Sequence, residues 1–137
     1  MQKHGNFLGL LGLFPFIALP LLVIGNQLSL FEAVGYFTQY SAVILSFLGG
    51  IHWYDSFTRT HNPLQLYIAM LPSIVAWLSL VFLNGTPAMV VLAAAFVLML
   101  FYDQKTLDMT PAYFRMRQKL TGVVVGCHAI MVWLLSH

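Results

Sequence analysis

Of the 137 residues, 60% are hydrophobic and 7% are charged, where a soluble globular domain carries roughly 25% charged residues, so a water-soluble fold is excluded for want of polar side chains to cover it. The net charge of +2 comes from six Lys and Arg against four Asp and Glu, too few for a nucleic-acid surface and too dispersed for a polybasic tail. Cys127 is the only cysteine, which rules out an intrachain disulfide and reads as a small apolar filler.

A hydrocarbon core needs about 20 residues of helix. The apolar runs here are continuous and lack the alternation over about ten residues that marks a membrane barrel strand. The expectation is therefore an all-α integral membrane bundle of five transmembrane helices, one domain over residues 1–137.

Span one, about 6–25, follows Lys3. The stretch Val23, Ile24, Gly25, Asn26, Gln27 contains no small-x-small cleavage site, so the span reads as a retained helix and not a signal peptide. Pro15 and Pro20 should kink it. Ser29 and Glu32 form a capping-box pattern that starts span two, about 30–57. Asn62 before Pro63 is a helix start, giving span three at about 63–83, bent at Pro72. Thr86 and Pro87 repeat the signal for span four, which at about 87–102 is short unless its helix continues past Asp103. A polar segment, 103–119, precedes span five at about 120–135, and Thr110 with Pro111 suggests a helix that begins in the interface.

Five spans place the N-terminus, the loop near Arg59 and the 103–119 segment on one side. Lys3, Arg59, Lys105, Arg115, Arg117 and Lys119 all lie there. The positive-inside rule makes that side, with the N-terminus, cytoplasmic and puts the C-terminus opposite. Removing span one would not change the side of any later loop.

At 100° per residue, Ala42, Ser46, Gly49 and Trp53 fall on one side of span two, and Gly122 with Gly126 repeats the small-xxx-small spacing of Gly5 with Gly9. Gly49, Gly50, Trp53, Gly122 and Gly126 are thus the helix-packing candidates. Packing within the chain is the favoured role; homo-oligomerisation through a seam is the alternative.

A second stripe of span two holds Ser41, Leu45, His52, Asp55 and Arg59. Asp103 and Gln104 end span four on the same side, and Arg115 and Arg117 lead into span five. Ionisable residues in a membrane are expensive and usually paired, which makes His52, Asp55, Asp103 and Arg117 the ligand or proton-handling candidates. The bland alternative is a salt-bridge network tethering helix ends, with His52 a neutral core histidine bonded to a carbonyl. His128 points well away from the Gly122 and Gly126 seam. His52 and His128 invite a haem reading but have no diagnostic spacing, and His52 with Asp55 falls short of a metal ligand set. With no nucleophile motif, phosphate loop or intramembrane carboxylate pair, no catalytic residue, metal or cofactor is expected.

The stretches GLLGLFPF at 9–16, YSAVILSFLGGIHW at 40–53, LPSIVAWLSL at 71–80, FYD at 101–103 and PAYFRMRQKLT at 111–121 resemble the transmembrane protein 69-like membrane family, domain of unknown function 3429. Tyr54 stands where the pattern leads one to expect a glycine. The resemblance implies a small multi-span protein, in the bacterial inner membrane here and mitochondrial in eukaryotic members, with no established reaction. It matches Gly49, Gly50, His52, Trp53, Asp103 and Arg117. The resulting expectation is a non-enzymatic binding or accessory protein in the lipid bilayer, for a partner membrane subunit or an apolar small molecule. A proton-coupled carrier using His52 and Asp55 is the alternative, and a haem or cofactor protein the third reading.

Overall fold

The computed structural model describes residues 2–137. It is helical almost throughout: α1 (Gln2–Gly12), α2 (Phe14–Ile24), α3 (Leu30–Asp55) with a π-helical extension (Ser56–Thr60), α4 (Pro63–Phe82), α5 (Thr86–Thr106) and α6 (Pro111–Leu135). Helices α1 and α2 together make the first span, and the five spans Lys3–Ile24, Leu30–Thr60, Pro63–Phe82, Thr86–Thr106 and Pro111–Leu135 are each long and apolar enough to cross a membrane. Twenty helical residues rise about 30 Å, the thickness of the hydrocarbon core.

Local chemistry sets most of the ends. Asn26, at φ 59°, ends α2; the amide of Gln27 bonds to the Leu22 carbonyl and that of Asn26 to the Val23 carbonyl, the paired bonds of a Schellman cap. The Ser29 hydroxyl accepts from the Glu32 amide at 3.2 Å, and Glu32 reaches back to the Ser29 hydroxyl at 3.1 Å instead of to its amide. Asn62 accepts from the Leu64 amide, and Thr110 from that of Tyr113. Gly85, at φ 61°, stands at the cap of α5, so Thr86 is the first helical residue and not the cap.

The first span breaks at Leu13, two residues ahead of Pro15, because proline has no amide to donate and its ring crowds the preceding turn. Tyr40 of α3 donates its hydroxyl to the Gly12 carbonyl at this break, 2.8 Å away. Pro20 is accommodated within α2. Helix α5 does continue past Asp103, to Thr106, and α6 begins at Pro111. The polar segment 103–119 is thus helical except at its centre, since its buried charges turn inward and pair.

Helix α3 is the middle of the bundle and touches α2, α4, α5 and α6. Phe16, Phe37, Leu45, Met89, Leu92, Phe96 and Met131 are fully buried around it. Phe16 meets Phe37 and Phe96 edge-on at 5.4 and 6.2 Å, the arrangement that ring quadrupoles favour. Large apolar side chains such as Phe31, Phe47, Trp77 and Phe101 point outward, as a surface bathed in lipid allows. Among the glycines the tightest contact lies at Gly49, where an added Cβ would stand 2.6 Å from the Ala69 carbonyl oxygen and 3.2 Å from Pro72. Gly50, Gly122 and Gly126 take no part in packing within the chain, since an added Cβ at any of them would meet nothing within 4 Å. Trp53 and Tyr54 are exposed as well.

Candidate functional site

The basic end of the bundle holds a buried polar network built from α3, its π extension, α4, α5 and α6. His52 lies nine-tenths of the way along α3, on the face turned to α5, and is fully buried. Its Nε2 is 2.6 Å from Asp103 Oδ1. The other oxygen of Asp103 accepts from Arg117, at 2.6 Å from Nη2 and 3.2 Å from Nε. Arg117 in turn donates from Nη1 to Thr121, one turn further along α6, at 3.2 Å.

Gln65 closes the network on the side of α4. Its amide nitrogen lies 2.9 Å from Asp55 Oδ2 and 3.0 Å from His52 Nδ1, while Thr60 donates its hydroxyl to the amide oxygen. A carboxylate can only accept, so the nitrogen must face Asp55. The same amide then donates to Nδ1, and the one ring proton of His52 sits on Nε2 and goes to Asp103. Arg59 grips Asp55 from both Nε and Nη2 at 2.8 Å and also donates to the Thr106 carbonyl at the end of α5, where a cation complements the helix dipole. Tyr102 covers the imidazole, its ring centre 4.6 Å away.

With His52 neutral, Asp55, Arg59, Asp103 and Arg117 balance to zero. Removing such charges from water is costly and is offset only by close pairing and full hydrogen bonding. Both conditions hold: among the described residues, no buried side-chain nitrogen or oxygen lacks a partner. The π turn matters to this geometry, because widening the end of α3 places Thr60 against Gln65 while Arg59 still reaches Asp55.

A second, smaller polar contact lies deeper. His128 of α6 is packed against Phe16, Phe37 and Phe96. Its Nδ1 donates to the Val124 carbonyl at 2.7 Å, so Nε2 accepts the Ser41 hydroxyl, 2.8 Å away on α3. The histidine therefore faces the core, and the seam of Gly122 and Gly126 faces outward. Both ring nitrogens of His52 and of His128 are hydrogen-bonded within the chain. Among the described residues, no three His, Cys, Asp or Glu side chains converge as metal ligands would.

All four polar candidates, His52, Asp55, Asp103 and Arg117, meet in one network. Gln104 and Arg115, which helix ends alone would add to the cluster, stay at the surface. Gln65, Thr60, Thr121 and the Ser41–His128 pair are additions from the structure. Gln65 carries a weak sequence signal, a long amide in the first turn of an otherwise apolar span. Thr121, four residues after Arg117, carries another.

The fold and this network define a polytopic α-helical membrane protein with charged groups sealed at one end of its bundle. The sequence profile of the family described as "Protein of unknown function (DUF3429)" matches residues 1–133, and the chain belongs to that family. It is 36% identical over 133 residues to "Transmembrane protein 69" of Xenopus tropicalis, an alignment that takes in 90% of this chain and 51% of the relative. The chain thus spans about half the length of that relative. No solved structure matches it.

Proposed function

We propose that the chain is a non-enzymatic accessory protein of a bacterial inner membrane that holds a partner membrane subunit, with its basic end in the cytoplasm. The orientation rests on the gathering of Lys3, Arg59, Lys105, Arg115, Arg117 and Lys119 at that end. The observation that carries the role is the closure of the polar network. Its buried members direct their polar atoms at one another, which suits a rigid support better than a site awaiting a substrate. Its accessible rim is Arg59 beside Asp55, with side chains 41% and 16% exposed, and this rim is the polar anchor for the partner.

The test compares wild type with Arg59→Ala and Arg117→Ala, extracted in nanodiscs of native lipid and sized by native mass spectrometry. Wild type should carry a second membrane polypeptide at fixed stoichiometry. Arg59→Ala should lose it while remaining folded, and Arg117→Ala should lose it through a loosened support. A wild-type chain found alone, or a complex indifferent to both changes, rules the reading out.

A proton-coupled carrier is the second reading, favoured by an imidazole set between Asp103 and the Gln65-linked Asp55. Against it, Leu45, Leu48, Met99 and Val124 are buried between this level and the Ser41–His128 pair, so apolar side chains separate the two polar sites. Proton flux into proteoliposomes that disappears in His52→Ala would favour the carrier; flux that is absent or unchanged would exclude it.

A further inference from the structure

Of the four cations at the basic end that the network does not use, Lys3, Lys105, Arg115 and Lys119, the last two share one cleft. Arg115 and Lys119 stand one turn apart on α6 and line an opening of about 420 Å³ between α6 and α1. Its other walls are Asn6 and the apolar Leu10, Ala112, Met116 and Leu120. Leu120 closes the inner end against Gly9, where an added Cβ would stand 3.1 Å from its Cδ1. The volume lies within the roughly 300–1,000 Å³ of ligand sites.

The charges here are out of balance. Arg59 has Asp55 and Arg117 has Asp103, but among the described residues neither Arg115 nor Lys119 has an ion-pair partner. Two like charges at i and i+4 repel and weaken a helix, so a dianionic or anionic group placed between them relieves a conflict built into α6. The guanidinium of Arg115 suits a phosphate oxygen pair, and Lys119 adds a second donor.

We propose that this cleft binds one anionic diacyl phospholipid from the cytoplasmic leaflet. Its phosphate lies between Arg115 and Lys119, and an acyl chain lies along Leu10, Met116 and Leu120. Position and chemistry agree: the cations occupy the first turns of α6, at the basic end of the bundle, and the apolar floor runs on from them along α6. Basic recesses between helices on the cytoplasmic side are the usual form of such a site. The lipid would also fasten α1, which packs on α2 and α6 and is held to α3 by the Tyr40–Gly12 hydrogen bond at its end.

The experiment titrates phosphatidylglycerol or phosphatidylcholine into the delipidated full-length chain in detergent and counts bound lipid by native mass spectrometry. Wild type should retain one phosphatidylglycerol at least about tenfold more tightly than phosphatidylcholine. Each cation near a membrane surface contributes about fivefold, so Arg115→Gln with Lys119→Gln should weaken phosphatidylglycerol about 25-fold. Lys105→Gln, an exposed cation outside the cleft, should leave it unchanged. Leu10→Trp keeps both charges and fills the floor, and should weaken binding as well. Equal binding of the two lipids, full affinity in the double variant or in Leu10→Trp, or an equal loss in Lys105→Gln would each overturn the proposal.

Discussion

Gln65 holds His52 in a single tautomer: its amide nitrogen, committed to Asp55 at 2.9 Å, presents its other proton to His52 Nδ1 at 3.0 Å. A neutral glutamine thereby decides which end of an imidazole faces a carboxylate on a third helix. In the wild type, nitrogen chemical shifts of His52 should report protonation at Nε2. Gln65→Leu removes the selector and leaves Nδ1 without a partner in a buried site. It should destabilise the bundle by about 1–3 kcal/mol and introduce the other tautomer. A His52 spectrum identical in wild type and variant would contradict this account.

Asp103 serves two donors at once, so its loss should be more severe. Asp103→Ala strands the Arg117 guanidinium and the His52 Nε2 proton together, and breaking a buried ion pair from one side costs about 3–5 kcal/mol. Asp103→Leu with Arg117→Met removes both charges and should recover part of that loss, because no unpaired charge remains buried. Reversible unfolding in mixed micelles measures both. If the double variant proves less stable than Asp103→Ala, the stranded charge is not the source of the damage.

Gly49→Ala tests the α3–α4 contact. The added methyl would lie 2.6 Å from the Ala69 carbonyl oxygen, and backbone cannot swing aside as a side-chain tip can. The expected penalty is about 1–3 kcal/mol for overpacking. Gly50→Ala and Gly122→Ala, with open space at the same atom, should stay within about 0.5 kcal/mol of wild type. Comparable losses at all three would mean that Gly50 and Gly122 are covered by another chain.

The arrangement of spans can be read by labelling single cysteines. Cys127 is buried and should react slowly even before its replacement by serine. In that background, cysteines at Gln104 and Asn84, exposed residues at opposite ends of α5, should react with an impermeant maleimide from opposite faces of membrane vesicles. Labelling of both from one face would refute the topology.

Sequence carried the five spans, the caps at Ser29, Asn62 and Thr110 and the four charged members of the network, because each follows from local rules. Ser29, Asn62 and Thr110 mark helix starts within a few residues, and a charge in an apolar run signals itself. The parts that escaped depend on three-dimensional register. The break in the first span falls at Leu13, where helix geometry and the Tyr40 hydroxyl act together. Gly122 and Gly126 resemble a packing seam in spacing, yet His128 on the other side of α6 has the better partners in Ser41, Phe16 and Phe37. A sequence motif cannot rank two faces of one helix. Gln65 was hidden for a related reason, since nothing in α4 indicates that its third residue meets the end of α3.

The double grip of Arg59, on Asp55 of its own helix and on the last turn of α5, has a mechanical meaning. Together with the Asp103 and Gln65 bonds it ties α3, α4, α5 and α6 at one end only. Toward the other face of the bilayer these four helices meet through apolar packing and, among the described residues, the Ser41–His128 bond. The bundle is therefore stiff where it carries charge and compliant where it does not. When it yields to lateral pressure or bilayer thinning, it should splay from the uncharged end, with the polar knot as the pivot.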